Sequence, residues 1–399
     1  MGRGVAYSTT EAVHLLNVRA EGMSAIAGDP DHFARRYVAE GGDPRGFAER
    51  RFFARYLGDI LDEAVTSGCT ELVEATATGG AREGNGWRIA LDDGSTVEAN
   101  ALVLAIGNQE PAPLPQFESI GPRFIGNPWG ADARAAVEDL AVSGEAALLV
   151  GTGLTMVDLV LSLDAAGHRG RIVALSRRGL APRGHTDTDP APVERDEVPS
   201  GNVRTLWCWL RRRGAELGWR AAIDGLRPHS HSLWQSLDTD QQRRFLRHAR
   251  PWWDVHRHRI APEVADTIAR LVAEGRLEIV AGRILAARRA ADTIEVEYRR
   301  RGASTAQRAT FAYAFNCTGP LHVIERTKDP LLRSLLDARE VKPDQLGIGV
   351  EIDGTCRAGE HLWAMGPLTK GRYWEIIAVP DIREQAAEVA DDIQGELAK

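Results

Sequence analysis

Apolar and polar positions fall into blocks with two periods. Residues 146–150 are an unbroken apolar run, Gly151-Thr152-Gly153 follows, and an apolar segment of helix-forming composition extends to Ala166, where Gly167 can take the left-handed stop. A second apolar run at 172–175 completes strand, glycine turn, helix and strand, a βαβ unit. Upstream, residues 31–40 and 47–67 have helical periodicity, the second with Phe53, Leu57, Leu61 and Ala64 on one face, and Asp43-Pro44 separates them. From 71 to 109 the pattern becomes that of strands: a hairpin turning at Asp93-Gly94, then a buried strand over 101–106 ending at Gly107.

Residues 277–319 repeat that arrangement of strand, hairpin and apolar strand ending in a small residue and glycine. Pro111, Pro113 and Pro115 predict a stiff connector into the βαβ unit. Between the βαβ unit and the second hairpin, residues 182–273 read as helical, aromatic and basic. A last apolar strand is expected over 361–365. Pro380 can start a terminal helix that carries Ile382, Ala386, Val389 and Ile393 on one face. The predicted fold is α/β: two Rossmann-like domains with β-meander crossovers and a helical insertion.

Composition narrows the class. A chain of 399 residues holds two or three domains, and its net charge of −7 argues against a nucleic-acid binder, which normally has a basic excess. No run of 18 apolar residues exists, and the first twenty residues are too polar for a secretory signal, so no membrane span and a cytoplasmic location are expected. Cys69, Cys208, Cys317 and Cys356 are scattered with no C-x-x-C pair, which leaves a disulfide framework, a zinc ribbon and a redox dithiol unsupported; no metal is expected.

The glycine turn carries the chemistry. Backbone N–H groups and the helix dipole at that point suit a dinucleotide pyrophosphate. Met156 stands where G-x-G-x-x-G has its third glycine, so another side chain must solve the close helix–strand packing. At the end of the second strand, Ser176-Arg177-Arg178 offers a hydroxyl and two guanidiniums where an NAD site places an acid, which favours NADPH over NADH. In the insertion, His256 and His258 sit about 200° apart on a helix, which disfavours a shared metal ion. Tryptophan–arginine stacking is the expected use of that block, in a cap that either recognises substrate or packs the domains together.

The segments GRGVAYST, HLLNVRAEGMSA, LVGTGLTMVDLVLSL, ALSRRGLAPRGH, RFLRHARPWWDVHRHRIAP, NCTGP and GPLTKGRYWEIIAVPDIREQA, in this order over nearly the whole chain, resemble the bacterial FAD/NAD(P)-binding proteins of the NAD(P)-binding domain 9 type. These are similar in layout to two-domain flavin-dependent monooxygenases. The resemblance implies an FAD-binding domain from residues 1–127 and 320–399, an NAD(P)-binding domain from 128–181 and 263–319, and a helical insertion at 182–262. It implies a nicotinamide-cofactor site of Gly151, Thr152, Gly153 and Leu154, with Ser176, Arg177 and Arg178 at the adenosine end. The flavin side would use Asn17, Met23, Ser24, Gly107, Gly366, Trp374 and Glu375. Cys317 is expected to be structural.

The expected activity is that of an FAD- and NADPH-dependent oxidoreductase of monooxygenase type acting on a small organic substrate. The alternatives are a flavin reductase or dehydrogenase with a protein electron partner, and a non-catalytic dinucleotide-binding protein that has lost FAD. No residue is marked as an obligatory acid or base; His248, His256 and Arg257 are candidates for contacts near the nicotinamide or substrate. The family pattern opens with a strand, a G-x-G-x-x-G turn and a helix, whereas here Gly2-Arg3-Gly4 stands at the start. The expectation is that the natural chain begins upstream.

Overall fold

The computed structural model describes residues 4–398; Met1 to Arg3, which include the Gly2-Arg3 start noted above, and Lys399 lie outside the described residues. The first segment contributes α1 (His32–Ala39) and α2 (Arg50–Thr66), then an antiparallel meander of β1 (Ala77–Glu83), β2 (Gly86–Leu91) and β3 (Thr96–Ala99), and finally β4 (Leu102–Leu104). The middle segment supplies β5 (Phe124–Ile125), α3 (Ala131–Ser143), β6 (Ala147–Val150), α4 (Leu154–Ala165) and β7 (Ile172–Ser176). The insertion follows as α5 (Val203–Leu217), α6 (Trp219–Leu226), α7 (Ser230–Gln235), α8 (Thr239–Arg244) and α9 (Arg250–Arg257), with a π-helical turn at Phe245–Ala249.

The chain returns through α10 (Pro262–Ala273) to β8 (Leu277–Ala290), β9 (Thr293–Arg300), β10 (Gln307–Phe311) and β11 (Tyr313–Asn316). The last segment holds α11 (Pro330–Asp337), β12 (Arg357–Gly359), β13 (Leu362–Ala364) and α12 (Val379–Leu397).

The central sheet has the order β10-β9-β8-β7-β6-β11-β5, parallel from β8 to β5 and antiparallel through the β8-β9-β10 meander. Long β8 joins the two: its first five residues pair with β7 and its remainder with β9. Side chains alternate across this sheet as the pleat requires. Ala147, Leu149, Ile172 and Ala174 pack under α3, α4 and α10, while Leu148, Val173 and Leu175 pack against Phe117, Ile120 and the β9–β10 hairpin. Met156 is fully buried in the first of these cores and fills the helix–strand contact that a third glycine would have left.

On the other side, β4 runs parallel to β13, and β12 is antiparallel to β13. The β1–β3 meander packs on α11, and the reason is local: a Cβ on Gly80 would stand 3.1 Å from Leu335 and 3.2 Å from Leu331. The α/β class with two dinucleotide-type halves and meander crossovers holds.

Some bounds differ from the sequence expectation. The strand placed from residue 71 starts at Ala77, and the strand placed over 101–106 is confined to Leu102–Leu104. Residues 71–74 are largely exposed, so their apolar side chains have no sheet face to cover. The insertion's helices begin only at Val203; residues 182–202 run irregularly save one turn at Arg195–Glu197.

Candidate functional site

The turn after β6 is built by two glycines for two reasons. Gly151 has φ 124°, and a Cβ there would lie 2.0 Å from the Cys317 carbonyl oxygen, so only glycine lets β6 pass the end of β11. Gly153 caps α4, has nothing within 4 Å of where a Cβ would be, and lacks a side-chain cap. The first N–H groups of α4 therefore face open space, as an anion site at a helix N-terminus requires.

Around the turn, the Thr152 hydroxyl donates to the Leu180 carbonyl, Ser176 Oγ lies 2.8 Å from Thr152 Oγ1, and the Gly179 N–H donates to Ser176 Oγ at 3.0 Å. Because the Thr152 proton goes to Leu180, Ser176 spends its own on Thr152. Its role is to brace the β7 turn.

A cavity of about 1510 Å³ opens from this turn. Gly151, Thr152, Gly153, Leu154, Ser176, Arg177 and Arg178 lie on its wall, and so do Asn17, Met23, Trp374, Glu375, His248 and Arg257. The two sets come from opposite ends of the chain and from the insertion, and the fold brings them to one space. Ser24, Gly107, Gly366 and His256 do not reach that wall. The Ser24 hydroxyl is taken by the Asp29 carbonyl at 2.6 Å, the Gly366 N–H by Gln385 Oε1 at 2.6 Å, and the His256 ring stands edge-on to Trp219 at 4.6 Å. Gly107, at φ 68°, serves the turn, and its neighbour Asn108 is the residue at the cavity.

Charge concentrates here. The wall carries nine arginine and lysine side chains and only four carboxylates, inside a chain whose net charge is −7. Arg177 is exposed; Arg178 donates to the carbonyls of His248 at 3.0 Å and Arg247 at 3.3 Å, which ties β7 to the insertion. Arg247, Arg283 and Arg301 share this end of the cavity wall with no carboxylate partner among the described residues.

The opposite side is apolar and aromatic: Tyr7, Leu16, Val18 and Met23 from the first segment, and Trp374 stacked on Trp234 at 5.2 Å. Glu375 is buried and accepts from Trp253 Nε1 at 2.6 Å and Arg257 Nε at 3.3 Å. Burial alone would raise its carboxyl, but the Arg257 guanidinium, with His258 and the Trp253 N–H, outweighs that and holds it below the usual range.

Three groups missed by sequence reasoning stand together at one side: Arg250, His322 and Lys370. Burial and the Arg250 charge push Lys370 down to about 8; burial, Arg250 and Lys370 push His322 down to about 3. Nothing in the local sequence marks them, because they belong to three segments. Cys317 is buried behind Gly151 and burial raises its thiol well above the ordinary range, which suits a packing role. In the insertion, Arg220 and Arg259 stack over Trp219 at 4.2 and 5.2 Å. Among the described residues no group of His, Cys, Asp or Glu is arranged to hold a metal ion, and no helix is long and apolar enough to cross a membrane.

A βαβ glycine turn facing a cavity shared with a second α/β half defines the class: the fold of two-dinucleotide-domain flavoproteins. Residues 1–109 match the model of the family described as FAD-NAD(P)-binding, the family whose motifs the sequence resembles. No curated protein matches the chain by sequence.

Among solved structures, the chain is similar to the ornithine N-hydroxylase of Kutzneria sp. 744, with reduced FAD, NADP+ and L-ornithine, at 14% identity and TM-score 0.64, covering 99% of this chain and 90% of that one. It is similar to L-lysine 6-monooxygenase from Pseudomonas syringae at 18% identity and TM-score 0.65, covering 96% and 87%. The bacillithiol disulfide reductase of Staphylococcus aureus shares the fold at 11% identity and TM-score 0.54, covering 96% and 85%.

Proposed function

We propose that this chain is an FAD- and NADPH-dependent oxidoreductase of monooxygenase type acting on a small organic substrate. The observation that carries this reading is the large cavity walled by the Gly151 turn on one side and by Asn17, Met23 and Trp374 on the other. Its volume exceeds the few hundred to about 1,000 Å³ of an ordinary small-ligand pocket, which leaves room for more than one ligand.

The residues present fit a nicotinamide dinucleotide. The open N-terminus of α4 takes the pyrophosphate, and Arg177, with Arg247, Arg283 and Arg301 close by on the wall, takes the additional phosphate of NADPH. They also fit a flat ring system on the other side, where Tyr7, Met23 and Trp374 supply apolar and aromatic surface and the Asn17 amide supplies hydrogen bonds. When bound, the two cofactors supply hydride transfer and oxygen chemistry. The chain's own residues bind and orient them and keep water out of the space between. The paired Glu375, Trp253 and Arg257 fix that wall. The lack of a C-x-x-C pair distinguishes this chain from a dithiol-type disulfide reductase and favours the monooxygenase reading. Cytoplasmic location, and independence of nucleic acid, are parts of the same reading.

The test is spectroscopic. Purified protein incubated with FAD and desalted should retain flavin absorbance, which NADPH should bleach in the absence of oxygen. Retained NADP+ binding with no flavin uptake would favour a non-catalytic dinucleotide-binding protein. Bleaching without substrate-dependent oxygen use would favour a reductase or dehydrogenase.

A further inference from the structure

One side of the cavity holds donors outside the set assigned above to the phosphates of the nicotinamide dinucleotide. Arg250 and Asp254 come from α9, His322 from the connection between β11 and α11, Lys370 from the turn that follows β13, and Asn108 from the turn after β4. Arg250 Nε donates to Asp254 Oδ2 at 3.2 Å, and its Nη2 donates to His322 Nε2 at 3.1 Å. A guanidinium has no lone pair to offer, so His322 Nε2 must be the acceptor and the ring proton sits on Nδ1. His322 is thus a neutral N–H donor. Among the described residues, Lys370 Nζ has a single hydrogen-bond partner, Asn108 Oδ1, at 3.4 Å.

The balance of these groups points to what is missing. Two cations share one carboxylate, Asp254, which Arg250 already holds. Arg250 Nη1, the remaining protons of Lys370 and His322 Nδ1–H have no acceptor among the described residues. The cluster therefore carries one more positive charge than negative, and a partly buried unbalanced cation is costly and calls for an anion. Beside them the wall is apolar, with Leu246, Ile348 and Trp374, and Arg250 lies over the Trp374 ring at 5.3 Å.

We propose that Arg250, His322 and Lys370 form a subsite for the carboxylate of an organic acid, whose apolar body lies against Leu246, Ile348 and Trp374. A plain acid is favoured over an amino acid, because the carboxylate of this cluster, Asp254, is already engaged by Arg250, as Asp158 is by Arg50 and Glu375 by Arg257. Calling this acid the substrate rests on the oxidoreductase reading above; its binding does not.

The experiment is calorimetric titration with phenylacetate and its uncharged analogue phenylacetamide, run in parallel with NADP+ and FAD titrations of the same protein. Wild-type protein should bind phenylacetate at least about tenfold more tightly than the amide, as a charge-assisted contact predicts. Lys370→Met and Arg250→Gln should each abolish that preference while keeping NADP+ affinity within about twofold, and Lys370→Arg should retain it. Equal binding of acid and amide, or no binding of either, overturns the proposal. So does a Lys370→Met variant that loses NADP+ or FAD instead, since the cations would then serve a cofactor phosphate. If wild-type protein binds phenylacetate but neither dinucleotide, the oxidoreductase reading fails and the acid site stands.

Discussion

Arg50 of α2 and Asp158 of α4 face each other across the two halves of the molecule in a buried, bidentate ion pair, with Nη1 to Oδ2 at 2.8 Å and Nη2 to Oδ1 at 2.9 Å. Arg50 Nε also donates to the Leu15 carbonyl at 3.0 Å, and the His14 ring reaches the Asp158 carbonyl at 3.1 Å and Ser162 Oγ at 3.1 Å. The pair therefore sets the angle between the first segment and the helix whose N-terminus faces the cavity. A fork-to-carboxylate contact fixes orientation better than a point charge could.

Removing one member strands the other. Arg50→Met should destabilise the protein by about 3–5 kcal/mol, because Asp158 would be left buried without its partner. Thermal unfolding followed by circular dichroism should show the midpoint falling, and the double variant Arg50→Met with Asp158→Leu should recover much of the loss. A double variant as unstable as the single one would show that the pair's charge is not what matters.

The glycine turn makes a position-specific prediction. Gly151→Ala places a methyl 2.0 Å from the Cys317 carbonyl at a φ of 124°, so the turn must shift, at a strain of about 1–3 kcal/mol or more. NADP+ affinity measured by titration should fall at least about tenfold. Gly153→Ala meets nothing within 4 Å and should cost little stability, but its methyl enters the space assigned to the pyrophosphate, so NADP+ affinity should fall without a loss of fold.

Cofactor choice rests on Arg177. Arg177→Ala should weaken NADP+ by about 10- to 100-fold, the worth of a charge-assisted contact, and leave NAD+ within about twofold. Equal losses for both dinucleotides would remove the phosphate from its neighbourhood.

Lys370 gives a pH dependence. Its ammonium is held down to about 8 by burial and by Arg250, with Asp254 opposing; Asn108 and the neutral His322 are the other groups facing it. The charged form exists below that pH and is lost above it, so affinity for phenylacetate should be full near pH 7, begin to decline as pH rises past about 8 and level off at the higher value that the bound anion gives the ammonium. An ordinary lysine would hold its charge to about 10.4. A flat profile from pH 7 to 10 would exclude Lys370 from the contact.

The cysteines divide by exposure. Cys69 and Cys208 are exposed and Cys317 and Cys356 are buried, with both buried thiols raised by burial. Brief alkylation of the native protein should modify the first two, and denaturation should release the other two to mass spectrometry. Rapid native labelling of Cys317 would contradict its packing behind Gly151.

Local chemistry accounts for what was legible in the sequence. The βαβ unit, its glycine turn, the left-handed stop at Gly167, both meanders and the terminal helix each lie within a few tens of contiguous residues, and their side-chain period and turn residues act on the nearby backbone. Over residues 101–106 that rule ran out. The apolar run is continuous, yet only three residues find a parallel partner in β13, and strand length is set by that partner.

The site shows the same division. Gly151, Thr152, Gly153 and Leu154 are adjacent in sequence, so their place at a helix N-terminus was determined by the chain itself. The tertiary structure alone decided that Gly366 and His256 stay off the cavity wall, because their partners Gln385 and Trp219 come from other segments, whereas Ser24 is held by its near neighbour Asp29. It alone brought together Asn108, Arg250, His322 and Lys370, from four segments that meet only when the halves close around the cavity. A single sequence encodes backbone geometry locally; the charge balance of an enclosed space is a sum over distant residues, and only the fold specifies which of them contribute.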